Sequence, residues 1–178
     1  MGKGDIIVCL DESSSTEGGK EYWGKALALT LMEAAMKRKR SFALIHFSHK
    51  GNVRTEVFCY GKYTPEDVMN AAEVFLDGGT DFETPLNEAM KLINDSTAPF
   101  SKADIVFITD GECSVSDSFL QEYRSCKSAK KFQTTGILLD KGEGSFNADT
   151  VKKFCDRILR TSELDEDGIA VNVIASTI

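Results

Sequence analysis

Two short apolar runs end in the same way. Ile6-Ile7-Val8-Cys9-Leu10 runs into Asp11, and Ile105-Val106-Phe107-Ile108 runs into Thr109-Asp110. Each run is long enough for one fully buried strand and too short for a helix. Each therefore delivers a carboxylate to the edge of a sheet. The first is followed by Glu12, Ser13, Ser14 and Ser15, hard oxygen donors with no positive charge among them. Two strand-end aspartates with neighbouring hydroxyls point to a shared site for Mg²⁺ or a similar hard cation.

The rest of the chain alternates buried strands with amphipathic helices. Strands are predicted at Gly4 to Leu10, Ser41 to Ser48, Val53 to Tyr60, Asp104 to Thr109, Phe132 to Leu139 and Ile158 to Thr161. In Val53 to Tyr60, Val53, Thr55, Val57 and Cys59 alternate with Arg54 and Glu56, the pattern of a strand with one wet face. It is placed at the edge, antiparallel to the strand before it. Helices are expected over Lys20 to Arg38, with Trp23, Ala26, Leu27, Thr30, Leu31 and Ala34 on one stripe, over Ser116 to Ala129, and over Asn147 to Cys155. Thr64-Pro65-Glu66-Asp67 reads as a capped helix start, with Val68, Met69, Ala72 and Phe75 facing inward. Thr84-Pro85 repeats the signal for a helix to about Ile93. Lys141 to Ser145 reads as a loop, and the tail from Glu163 to Ile178 as a short closing helix.

This order implies an α/β fold: a doubly wound, mostly parallel six-stranded sheet, one antiparallel edge strand, and helices on both faces. Ligands of such sheets bind at strand carboxyl ends where the winding reverses. At 178 residues and 42% hydrophobic content the chain fits one domain, 1–178.

A net charge of −7 argues against a nucleic-acid partner. The basic cluster Lys37-Arg38-Lys39-Arg40 reads as a solvated helix end, with a patch for an acidic partner as the alternative. No apolar stretch reaches the roughly 20 residues of a membrane span, and the N-terminus has no signal-peptide apolar region. Five cysteines without a CxxC pair suit a reducing cytoplasm better than a disulfide scaffold.

Asp11-x-Ser13-x-Ser15, Thr80 and Asp110 together resemble the metal-ion-dependent adhesion site of von Willebrand factor A domains. Gly78-Gly79-Thr80-Asp81 and Ile108-Thr109-Asp110-Gly111 bring the resemblance closest to the prokaryotic CoxE/ViaA-like branch. The resemblance covers essentially the whole chain. It implies Mg²⁺, or Mn²⁺ or Ca²⁺, held by Asp11, Ser13, Ser15, Thr80 and Asp110, with one coordination position left for an acidic residue of a protein partner. It also implies a MoxR-type AAA+ ATPase as a working partner, and a domain that forms the C-terminal part of a longer protein. The pattern usually has Gly between the two serines; here Ser14 stands there, which takes turn conformations less freely but removes no ligand.

Individual residues also have plainer roles. Ser13 to Thr16 can act as a capping loop. Thr84, followed by Pro85, is a better helix cap than ligand, whereas Thr80 sits in a glycine loop and is preferred as the ligand. Asp81 reads as a turn former or as a residue that supports the ligands from behind, in preference to a direct ligand. Asp110-Gly111 read as a bare turn would leave Asp110 repelled by Asp11 without a cation, and Glu112 adds to that field. His46 reads as a sheet residue; His49 can approach the metal edge but has no nucleophile to serve. The rival function is a Mg²⁺-dependent phosphohydrolase of haloacid-dehalogenase type. That chemistry wants a second Asp two residues after the first, where this chain has Ser13. No Walker phosphate loop is present either. The expectation is therefore a binding module, not an enzyme.

Overall fold

A computed structural model describes residues 4–111, 113–140 and 148–162. Six strands form one sheet: β1 (Ile6–Asp11), β2 (Phe42–Phe47), β3 (Val53–Phe58), β4 (Asp104–Thr109), β5 (Thr134–Leu138) and β6 (Arg157–Arg160). Their order is β3-β2-β1-β4-β5-β6. All neighbours are parallel except β2 and β3. The expected doubly wound sheet with one antiparallel edge strand is what forms. The winding leaves β1 in one direction for β2 and in the other for β4, so the reversal falls between β1 and β4. Their register pairs Leu10 with Ile108, which sets Asp11 beside Thr109 at the carboxyl ends.

Alternation along the strands builds two cores. Ile7, Cys9, Ile45, Phe47, Ile105 and Phe107 face α3 (Glu83–Asn94) and α4 (Asp117–Lys130). Ile6, Val8, Leu10, Phe42, Leu44, Val106 and Ile108 face α1 (Gly19–Lys37) and α2 (Pro65–Ala72). The first core centres on Phe107. Its ring lies 5.0 Å from that of Phe82, 5.2 Å from Phe47 and 5.2 Å from Phe154, at the tilted and edge-on angles that aromatic quadrupoles prefer.

Several helix and strand faces differ from expectation. On α1, Leu27, Leu31 and Ala34 point inward as predicted, but Ala26 and Thr30 are not buried, and Gly24, Ala28, Met32 and Ala35 complete the buried stripe. The rotation follows from Gly24, where a Cβ would meet Leu10 at 3.0 Å; lacking one, the helix lies close on β1. Helix α2 has the expected Thr64 cap, with a reciprocal Asp67 side chain. It stops at Ala72 and buries Ala71, leaving Met69 62% exposed. On β3 the expected phase holds at Val53, which packs against the first core, but not at the other end: Val57 is 47% exposed, while Phe58 is buried against Phe42 and Tyr63. The antiparallel register pairs Leu44 with Glu56 and Phe42 with Phe58, so Glu56 and Phe58 share the α1 and α2 side. The segment before β6 forms only one 3₁₀ turn, Val151–Lys153, in place of the expected helix, with Val151 and Phe154 anchoring it. The expectations for Glu112, Lys141 to Ser145 and Glu163 to Ile178 lie outside the described residues.

Phe107→Ala removes the ring on which the first core converges and leaves a cavity. It should lower unfolding free energy by about 3–5 kcal/mol, measured by urea denaturation of the two proteins.

Candidate metal centre

At the β1–β4 edge carboxylates and hydroxyls are joined in a hydrogen-bonded row. The Ser13 backbone N–H donates to Asp11 Oδ1 at 3.0 Å. Ser13 Oγ and Ser15 Oγ are 3.2 Å apart. Ser15 Oγ donates to Asp110 Oδ1 at 2.7 Å. Thr109 Oγ1 donates to Asp11 Oδ2 at 2.5 Å. A 3₁₀ turn over Ser14–Thr16 bends the loop so that both serines turn toward the strand ends. Thr80 faces the same place: a Cβ on Gly111 would lie 3.5 Å from Thr80 Oγ1 and 3.9 Å from Asp11 Oδ2. All five predicted residues are therefore brought to one edge.

The Thr80 loop is fastened there by Ser14. Its backbone N–H donates to the Gly78 carbonyl at 2.9 Å. Its Oγ accepts from the Gly78 N–H at 2.9 Å and also contacts Asp77 Oδ1 at 2.5 Å. Gly78 has φ 91°, and a Cβ there would strike His49 Nδ1 at 2.8 Å, so the loop needs glycine at that position. His49 thus packs against Gly78 and contacts Ser48 Oγ at 3.3 Å. Thr84 is not the helix cap. It lies inside α3, and Asp81 does the capping, accepting from the Thr84 N–H at 2.9 Å and from its hydroxyl at 2.5 Å.

Burial pushes the Asp11 carboxyl up to about 6; nearby Asp110 adds to the push, and hydrogen bonds from Ser13 and Thr109 restrain it. A cation beside Asp11 would relieve that strain. The thiol of Cys113 is pushed up to about 11, first by burial and then by Asp81, Asp11 and Glu83. Among the described residues no three His, Cys, Asp or Glu side chains are grouped to hold a metal. Two carboxylates, Asp11 and Asp110, and four hydroxyls, of Ser13, Ser15, Thr80 and Thr109, are what this edge offers. That donor set fits a hard, oxygen-seeking cation and not zinc or copper.

Three partners of the edge were not legible in the sequence. Thr109 is one. Lys20 is another: its Nζ donates to Asp110 Oδ2 at 2.9 Å, from the first turn of α1. The third is a buried ion network directly behind the site. Glu12 points to the opposite face from Asp11, and His46 Nδ1 lies 3.0 Å from Glu12 Oε1. His46 Nε2 lies 3.5 Å from Glu56 Oε2, which makes an ion pair and no hydrogen bond. Lys25 approaches Glu12 at 3.9 Å and pairs with Glu21. Burial alone would push His46 down, but Glu12 and Glu56 outweigh it and hold it above the ordinary value.

The matches to known proteins agree with this geometry. The family model for the von Willebrand factor type A domain matches residues 6–112. An uncharacterised protein of Methanocaldococcus jannaschii is 40% identical over 137 residues, covering 77% of this chain and 33% of its own length. A second protein of that organism is 32% identical over 171 residues, covering 93% of this chain and 36% of its own. The regulatory protein ViaA of Proteus mirabilis is 33% identical over 112 residues, covering 61% of this chain and 21% of its own length, which supports a ViaA-like placement. The chain thus spans about a third or less of the curated relatives it matches. Among solved structures, a von Willebrand factor type A protein from Catenulispora acidiphila superposes with TM-score 0.70 at 15% identity, over 99% of this chain and 42% of that one. BatB from Bacteroides thetaiotaomicron gives 0.69 at 14% identity, over 97% of both chains.

A histidine whose folded value is raised contributes stability that is complete below its ordinary value, about 6.5, and lost as pH rises through the folded one. Imidazole NMR shifts should therefore show His46 still protonated above pH 6.5. The stability advantage of the wild type over His46→Gln should shrink as pH climbs further. The chain belongs to the von Willebrand factor type A domain family.

Proposed function

We propose that this domain is a divalent-cation-dependent protein-binding module. Asp11, Ser13, Ser15, Thr80 and Asp110 hold Mg²⁺, with Mn²⁺ or Ca²⁺ as substitutes, through oxygens that ligate directly or through water. The cation supplies a Lewis-acidic centre of high positive charge. With few formal charges from the protein, it retains appetite for one more anion, an acidic side chain of a protein partner. The observation that carries this reading is the hydrogen-bonded row from Asp11, through the Ser13 backbone N–H and the Ser13 and Ser15 hydroxyls, to Asp110.

The module works by binding and not by catalysis. Family membership and the name of the ViaA relative, a regulatory protein, support protein partners. By the same resemblance a MoxR-type AAA+ ATPase is the proposed partner, or the route by which a client is reached. The residue two places after Asp11 is Ser13, whose N–H serves Asp11; a phosphohydrolase of the rival type would need an acid there. No helix among the described residues is long and apolar enough to cross a membrane. The free cysteines support a reducing cytoplasm as the working compartment.

Calorimetric titration with Mg²⁺ tests the site. Asp11→Ala and Thr80→Ala should each abolish the binding heat while circular dichroism stays that of a folded α/β protein. Unchanged binding would reject the assignment. In the wild type, Mg²⁺ at ten times its dissociation constant should add about 1.4 kcal/mol to unfolding free energy. Hydrolysis of a generic phosphoester under the same conditions would favour the enzyme instead.

A further inference from the structure

Asp110 has both oxygens engaged within the protein. Ser15 Oγ serves Oδ1 at 2.7 Å, and the Lys20 ammonium serves Oδ2 at 2.9 Å. The Asp110 side chain is almost fully buried, and that of Lys20 is 22% exposed. The attraction between the two charges is screened less by water and salt than that of a surface pair, and breaking the pair leaves a buried carboxylate without its counter-charge.

The position of Lys20 runs against local preference. It stands in the first turn of α1, at the positive end of the helix dipole, where a cation is disfavoured and an acid favoured. No side chain caps that helix start, and Gly18 precedes it with φ 88°. The ammonium is thus held by Asp110 against the field of its own helix. The strand parity explains the reach: Asp110 follows Thr109 onto the face that carries α1, opposite to Asp11. Lys20 also lines a cleft of about 410 Å³ together with Ser15, Glu17, Trp23 and Leu139, so its flexible stem has an open space to move into.

We propose that Lys20 sets the affinity of the cation site, as a tethered monovalent counter-ion that a divalent cation must displace from Asp110 or tolerate beside it. The inference rests on the metal reading above. It adds that the site is tuned to be weaker than its oxygens alone would make it. Like charges a few ångströms apart repel, and the penalty falls on the bound state of the metal. Removing the ammonium removes that penalty. A residue that merely supported the loop would do the opposite, since its loss would loosen the site and weaken binding.

The test is Mg²⁺ titration calorimetry on the wild type, Lys20→Met, Lys20→Gln and Lys20→Arg, together with melting temperatures in EDTA and in saturating Mg²⁺. Lys20→Met and Lys20→Gln should bind Mg²⁺ about tenfold more tightly than the wild type, the scale of one partly screened neighbouring charge. Lys20→Arg should behave as the wild type. In EDTA the two neutral variants should melt lower, because Asp110 loses its counter-ion, and Mg²⁺ should raise their melting points by more than it raises the wild type's. Equal or weaker binding by either folded neutral variant overturns the proposal and leaves the metal site standing. Absence of Mg²⁺ binding by every form, wild type included, overturns the metal reading and this inference with it.

Discussion

The structure is organised around negative charge brought to the seam where the sheet reverses. Adjacent parallel strands β1 and β4 end in Asp11 and Thr109-Asp110, so two carboxylates emerge from the most buried part of the fold. Nothing apolar can be packed against them without penalty. The chain answers with hydroxyls: Thr109 on Asp11, Ser15 on Asp110, and Ser13 between them. Hydroxyls can donate to a carboxylate or turn a lone pair toward a cation. One lattice therefore serves both situations without rebuilding the loops. Lys20 adds a formal positive charge on the Asp110 side of that lattice.

Alternation along β1 carries a second consequence. One residue separates Asp11 from Glu12, and that step moves the carboxylate to the other side of the sheet. There Glu12, His46 and Glu56 form a buried row with Lys25 beside it and Arg54 beyond, pairing with Glu56 at 2.6 Å. Breaking such a row by removing one partner leaves an uncompensated buried charge. The row also holds the loop: the Glu12 N–H donates to the Phe47 carbonyl at 2.8 Å, so both backbone and side chain of Glu12 are fixed to β2. The residue that follows Asp11 is thus clamped to β2 from the opposite face.

The strand positions were legible because buried parallel strands read as unbroken apolar runs; β4 is the clearest, found at Asp104–Thr109 as expected. What the sequence could not show was direction around an axis. On α1 the alanines and glycine are nearly interchangeable in pattern, and only contact with Leu10 decides that Gly24 turns inward and Ala26 outward. On β3, polar and apolar residues alternate, but the buried phase is set by the ion row and by Phe58, not by Val57. Asp81 illustrates the same limit at the site. Thr84-Pro85 looks like a cap and first turn, yet the acid three residues before Thr84 makes the cap. Where a helix begins depends on which side chain reaches its first free amides, and a threonine followed by proline does not reveal that. Asp11, Ser13 and Ser15 were readable from their local spacing, and Thr80 and Asp110 from a glycine loop and a strand end that fit the same family pattern, whereas Lys20 and His46 act across the fold and leave no mark in spacing.

Ser14 shows how a departure from a family pattern can be absorbed. Glycine at this position would give freedom of φ, but Ser14 adopts a 3₁₀ turn with no positive φ and so has no need of it. What the hydroxyl adds is a link. It joins the loop after β1 to Asp77 and Gly78, and through them to Thr80. A glycine would leave only the backbone bond from residue 14 to the Gly78 carbonyl. Thr80 has no strand of its own to position it, so its loop must be held by neighbours. Two of the three loops at this edge are thereby already fastened together, which would lower the ordering entropy lost by any ligand that drew on all three. The substitution that looks least like the family at sequence level is thereby the one that most directly joins two parts of the site.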